Sequence, residues 1–147
     1  MHVTAATRAD IPRLVELLAI LFTQEAEFAP DAEKQAKGVA AIIDDPRVGR
    51  ILALREDGEV IGMVSLLFTV STFLGEQVAL LEDLIVHPDH RGKGGGTILL
   101  QAARQEARAC GYRRLTLLTD AANAAARAFY EKMGFVASPM VPYRMMI

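Results

Sequence analysis

Residues 87–107 read HPDHRGKGGGTILLQAARQEA. Four glycines fall in the five positions from Gly92 to Gly96, with Arg91 ahead of them and Lys93 among them. The residues before this stretch, Val78–Val86, have the apolar makeup of a strand. The residues after it carry Leu99, Ala103 and Ala107 at helical spacing. Strand, bare loop and helix in that order aim the unpaired N–H groups of the first helical turn into the loop, where the helix dipole adds positive potential. Phosphate suits such a place, and glycine lets it lie against the backbone. The stretch therefore predicts a pyrophosphate site, with charge added by Arg91 and Lys93.

Two familiar glycine signatures do not fit. A nucleotide P-loop needs Lys followed by Ser or Thr, and here Lys93 precedes Gly94. A dinucleotide fingerprint counted from Gly92 meets Thr97 where its third glycine belongs. The plain alternative is a flexible loop that happens to be rich in glycine.

Outward from the loop, the chain reads as alternating strands and helices. His2–Thr7 is a short strand. Asp10 and Pro12 open a helix that runs to about Phe22. A polar stretch, 23–33, precedes a second helix over Glu33–Asp44, stopped by Asp45-Pro46. Gly49–Arg55 and Val60–Phe73 are strands joined at Asp57-Gly58, a strong hairpin signal. Gly75-Glu76 turns the chain into Val78–Val86. Thr97–Cys110 is a helix ended by Gly111, and Arg114–Thr119 is a strand. Asn123 caps a helix over Ala124–Met133, which Gly134 closes. Phe135–Ala137 and Tyr143–Met146 read as two short final strands. The order gives an α/β fold, a mixed sheet covered by helices.

The chain has 147 residues, which fits one domain. The net charge of −2 argues against broad nucleic-acid binding, which favours a basic surface. Cys110 is the only cysteine, so no internal disulfide forms, and a buried thiol in a reducing compartment is expected. The N-terminus lacks the pattern of a signal peptide, and no apolar run reaches 18 residues, so a cytoplasmic protein off the membrane is expected. His87 and His90 are two residues short of a persuasive metal set, so no metal is expected.

The run Arg91-Gly92-Lys93-Gly94-Gly95-Gly96 resembles the acyl-CoA signature of the GNAT family of N-acetyltransferases, Arg/Gln-x-x-Gly-x-Gly/Ala, through Arg91, Gly94 and Gly96. LLEDLIVHPDHRGKG, residues 80–94, is similar to that family's fourth strand and glycine loop in register. Asn123 with AFYEKMGF, residues 128–135, resembles its next helix and strand, and RADIPRLVELL, residues 8–18, resembles its opening. The LED run, residues 81–83, looks like that of the branch acetylating polyamines and small amines. Gly95 departs from the pattern, since an apolar residue is common there.

The resemblance implies one transferase domain over residues 1–147. Its sheet would be mostly antiparallel and twisted, with six to seven strands, flanked by about four helices and splayed between strands 4 and 5. It implies acetyl-CoA as co-substrate and direct attack by a primary amine in a ternary complex. Leu84, Ile85 and Val86 would pair with the pantetheine, Arg91 through Thr97 would wrap the pyrophosphate, and Asn123 would touch the cofactor arm. Tyr130 would protonate the leaving thiolate, since a phenol is protonated at neutral pH. Glu82 would take the proton from an amine that arrives charged, with Asp83 on the opposite side of a regular strand. Glu25, Glu27, Phe28 and Asp31 would form an acidic, partly aromatic rim that with Glu82 suits a small cationic amine or a peptide. A homodimer involving the late strands fits the same resemblance. The competing classes are a non-catalytic acyl-CoA-binding module and a transferase of longer acyl groups.

Overall fold

The computed structural model describes residues 1–25 and 28–147. Its elements are β1 (His2–Ala5), α1 (Ile11–Gln24), α2 (Ala32–Asp44), β2 (Gly49–Glu56), β3 (Glu59–Ser71), β4 (Glu76–Val86), α3 (Gly95–Ala109), β5 (Leu115–Leu117) and α4 (Ala124–Lys132). Short 3-10 turns occupy Arg8–Asp10 and Pro88–His90. Five strands form one open sheet in chain order. Pairing is antiparallel from β1 through β4 and parallel between β4 and β5, with α3 as the crossover.

Both faces of the sheet are covered, and β2 makes the division plain. Ile51 and Ala53 pack with Leu14, Leu17, Leu18 and Val39 on the α1–α2 face. Leu52 and Leu54 pack with Leu99, Leu100 and Ala103 on the α3 face. A strand buried on both sides needs apolar residues at successive positions, as RILAL provides. Each fully buried leucine contributes about 1.5–3 kcal/mol of transfer free energy. The Asp57-Gly58 hairpin forms as expected, with both residues at positive φ, 51° and 87°.

The feature that shapes the molecule lies in β4. Its partner β5 is matched only from Ala79 to Leu81, while β4 runs on to Val86. β5 ends at Leu117, the partner of Leu81, so the rest of β4 has no β5 partner.

Four expectations need correction. The sheet has five strands among the described residues, not six to seven. Phe135–Ala137 and Tyr143–Met146 are not strands. Pro139 and Pro142 interrupt that run and supply no N–H to a ladder, and Val136, Tyr143 and Met146 are more than 90% exposed. Cys110 is exposed rather than buried, because α3 ends one residue earlier and Gly111, at φ 81°, turns the chain away. Asp10 does not cap α1 with its side chain. It accepts from the Thr7 N–H at 2.8 Å and from Arg55 Nη2 at 2.8 and 2.9 Å, which ties the start of α1 to β2. No helix among the described residues is long and apolar enough to cross a membrane.

Candidate active site

A cleft of about 370 Å³ opens where β4 leaves β5. Its walls are the end of β4 (Leu84, Ile85, Val86), the glycine loop, the last turn of α1 (Leu21, Gln24) and one face of α4 (Phe129, Tyr130).

The loop is held at both ends. The His87 N–H donates to Ile61 O on β3 at 2.8 Å. Arg91 Nε donates to Val86 O at 3.0 Å, and its Nη2 reaches Gln24 Oε1 at 3.4 Å. Arg91 thus joins the loop, the end of β4 and the end of α1. Gly94 stands at the N-cap of α3 with φ 82°, a backbone state that L residues rarely adopt. The helix starts at Gly95, two residues earlier than the sequence suggests. Its first bond runs from the Ile98 N–H to Gly94 O at 3.1 Å. The N–H groups of Gly95, Gly96 and Thr97 precede that bond, so none has an acceptor within the helix. All three residues line the cleft, with Arg91, Gly92 and Gly94.

Gly95 departs from the family pattern for a visible reason. It is buried, and a Cβ there would stand 2.9 Å from Leu54 Cδ2 and 3.4 Å from both Val86 methyls. Neighbouring side chains already fill the space an apolar residue would use.

Lys93 and Asn123 are not in the cleft wall. Lys93 Nζ lies 3.9 Å from Glu56 Oε2, which also meets His90 Nδ1 at 2.8 Å. Asn123 accepts from the Ala126 N–H at 3.0 Å and so caps α4. His87 Nδ1 accepts from the Asp89 N–H at 3.3 Å.

Tyr130 is half-buried in the opposite wall. Its ring rests against Phe129 and Phe135, with centroids 5.4 and 6.0 Å apart. Burial pushes the phenol's pKa above its ordinary value, and the charge of Glu25 adds to the effect. The proton is firmly held at neutral pH.

On β4 the carboxylates are not placed as a regular strand would place them. Ser65 pairs with Glu82 and Met63 with Ile85, so one residue of β3, Val64, faces two of β4, Asp83 and Leu84. That is a β-bulge. Asp83 takes φ 51°, a left-handed value shared among described non-glycine residues only with Asp57 of the hairpin. Its Oδ2 accepts from Ser65 Oγ at 3.4 Å. Glu82 and Asp83 therefore both belong to the α1–α2 side of the sheet, and the expected opposite orientation is overturned. Burial raises the Asp83 pKa, as do the charges of Glu82 and Glu25, while the Ser65 hydrogen bond lowers it. The result is about 6. Glu82 is exposed.

The acceptor rim is only partly assembled. Glu25 follows α1 and acts electrostatically on both Asp83 and Tyr130. Phe28 is exposed, with its ring centroid 5.6 Å from that of Phe22. Asp31 accepts from the Lys34 N–H at 3.1 Å and caps α2. Glu27 lies outside the described residues. Sequence reasoning missed Leu21, Gln24, Phe129 and Ser65. The first two continue the Leu14–Leu17 stripe of α1 at helical spacing, and Phe129 adjoins Tyr130, so those three had a signal. Ser65 had none.

A family model described as "Acetyltransferase (GNAT) family" matches residues 11–135. The uncharacterized N-acetyltransferase YhfO of Bacillus subtilis is 36% identical over 121 residues, covering 80% of each chain. The aminoalkylphosphonate N-acetyltransferase of Salmonella typhimurium is 32% identical over 130 residues, 88% of this chain and 81% of that one. Among solved structures, an integron cassette protein from a salt-marsh metagenome superposes with a TM-score of 0.86 at 29% identity, covering 99% of this chain and 90% of the other.

Proposed function

The chain belongs to the acetyltransferase (GNAT) family, and from that premise we propose how its cleft carries out acetyl transfer. The protein is an acetyl-CoA-dependent N-acetyltransferase, moving an acetyl group to a primary amine. The single observation that carries the proposed arrangement is the start of α3 in the cleft wall: Gly94 caps it in a left-handed conformation, and Gly95, Gly96 and Thr97, whose N–H groups lack an acceptor within the helix, all line the cleft.

In this reading those N–H groups, with Arg91, hold the pyrophosphate of acetyl-CoA, where the helix dipole favours negative charge. Lys93 stands nearby as a source of positive potential, and Asn123 steadies the α4 wall. The pantetheine arm lies along the unpaired edge of Leu84, Ile85 and Val86, between β4 and β5. The acceptor enters from the α1–α2 side, past Glu25 and Phe28. Aligning both substrates supplies most of the acceleration, because attack then becomes effectively unimolecular.

The bond changes are simple. The amine nitrogen forms a bond to the acetyl carbon, and the C–S bond breaks. Tyr130 gives its phenolic proton to the departing thiolate and recovers one from the new amide nitrogen. An acidic carboxylate on β4 removes the first proton of the incoming ammonium. Glu82 is the carboxylate the family resemblance assigns, and its charge also draws a cation toward the opening.

The acceptor class is a small primary amine, polyamines included. This rests on the acidic group of Glu25, Glu82 and Asp83 and on the small-amine relatives. Residues 1–147 act as one transferase domain, in the cytoplasm where acetyl-CoA is supplied. The exposed apolar side chains scattered between Val136 and Ile147 and the open outer edge of β5 also favour a homodimer, which sedimentation tests directly.

Thiol release from acetyl-CoA, measured across a panel of amines, tests the reading. Saturable release with small primary amines is expected. Tyr130→Phe should lower kcat about 10–100-fold while leaving the CoA dissociation constant within about twofold. Equal turnover by that variant removes Tyr130 from the chemistry.

A further inference from the structure

We propose that Asp83, rather than Glu82, is the general base for the attacking amine, with Ser65 as the positioning residue that holds its carboxylate. The inference rests on the acetyl-transfer reading above and assigns one of its proton transfers.

The first observation is the backbone. A non-glycine residue at φ 51° within a strand is strained, and here it accompanies the bulge in the β3–β4 ladder. Asp57 has the same φ because a two-residue hairpin demands it. At Asp83 the bulge has a different consequence. It keeps the Asp83 carboxylate on the face of Ser65 instead of sending it into the apolar α3 side, where Leu81 and Leu84 pack. The bulge also falls just beyond the last β4–β5 pair and takes in Leu84, the first β4 residue of the cleft wall.

The second observation is the contrast in surroundings. Glu82 is exposed, and water screens its carboxylate. Asp83 is half-buried, and its carboxylate accepts from Ser65, a residue that is 1% exposed. Its charged neighbours are Glu82 on its own strand and Glu25 beyond the end of α1. Glu25 also acts on Tyr130. Base and acid candidates, from β4 and from α4, therefore share Glu25 as a charged neighbour, and Asp83 directly precedes the cleft-lining Leu84 while Tyr130 lines the cleft itself. A base works best when its pKa approaches the operating pH, and the burial of Asp83 moves it that way.

The proton count closes. The ammonium gives one proton to Asp83 Oδ, which later releases it to water. The freed lone pair forms the C–N bond. A second proton leaves the nitrogen as the amide forms and replaces the one that Tyr130 delivers to the thiolate. The sum is one ammonium plus acetyl-CoA giving amide, thiol and one proton.

The test is the pH profile of kcat/KM from pH 5 to 9 with acetyl-CoA, using 2-aminoethylphosphonate and spermidine as acceptors. Wild type, Asp83→Asn, Glu82→Gln and Ser65→Ala are compared. The parent should rise through about pH 6. Asp83→Asn should lose that rise and fall about 100-fold at pH 7.5, with CoA affinity within about twofold of the parent. Glu82→Gln should keep the rise and stay within about fivefold. Ser65→Ala should move the rise to higher pH, because the lost hydrogen bond favoured the ionised form. An Asp83→Asn profile matching the parent, or loss of the rise in Glu82→Gln instead, overturns the assignment and leaves acetyl transfer intact. A parent that binds no CoA and releases no thiol with any amine overturns the reading beneath it.

Discussion

The two halves of β4 share a strand and a sheet but not a task. From Glu76 to Leu81 the strand is regular, with β3 on one side and, from Ala79, β5 on the other. Val78, Ala79 and Leu81 are at most 3% exposed. From Glu82 to Val86 the strand bulges, keeps β3 as its only ladder partner among the described residues, and carries two adjacent carboxylates. The first half spends its hydrogen bonds on the sheet. The second half leaves an edge unpaired and a charge half-buried, both costly unless something uses them. Local departure from a regular ladder thus marks where the molecule stops being scaffold and becomes site.

The strongest way to break this contrast is in the glycine loop that continues the second half. Gly94→Glu puts a side chain on a backbone held at φ 82° and a negative charge at the start of α3. CoA affinity should fall at least about 100-fold by calorimetry, with circular dichroism little changed. Wild-type affinity would remove the loop from the cofactor site.

Leu81→Ala attacks the first half. Leu81 is 2% exposed and packs in the α3-side cluster. Denaturant unfolding should report a loss of about 2–4 kcal/mol, while kcat of the folded fraction stays near the parent's. A kinetic defect without a stability defect would erase the division between the halves.

Asp83→Asn sharpens the contrast through stability. Folding raises the Asp83 pKa from 3.8 to about 6, so the native state holds this proton more tightly than the unfolded chain does. The favourable contribution is complete below pH 3.8 and is lost as pH rises through about 6. Above that range the parent keeps a charge in a half-buried place. The variant should therefore be more stable at pH 7.5 by about 1–2 kcal/mol, with the gap closing toward pH 4. A variant less stable at pH 7.5 would mean that the charge is stabilising where it sits.

The sequence carried the first half of the strand and the loop well, and the second half poorly. Hairpin residues Asp57-Gly58, the glycines at 94, 111 and 134, and the apolar spacing of α1 and α3 are local signals, and each produced its element. The parallel contact of β4 with β5 depends on where α3 returns the chain, so the length of the splay could not be read locally. The bulge at Asp83 arises from the register between β3 and β4, and alternation along one strand predicts the opposite side for its carboxylate. Asn123 was legible as a helix cap and does cap α4, whereas Asp31, read as part of the acceptor rim, has its side chain engaged in capping α2. The C-terminal apolar residues have strand-like composition, but Pro139 and Pro142 divide them, and they are not strands.

The most direct test is an acetyl-CoA titration followed by backbone amide chemical shifts of labelled protein. Saturable shifts should concentrate at residues 84–86 and at Arg91–Thr97, with Gly95, Gly96 and Thr97 moving most and residues 76–81 nearly still. Shifts centred elsewhere, or spread evenly along β4, would contradict the division of the strand and the pyrophosphate site at the start of α3.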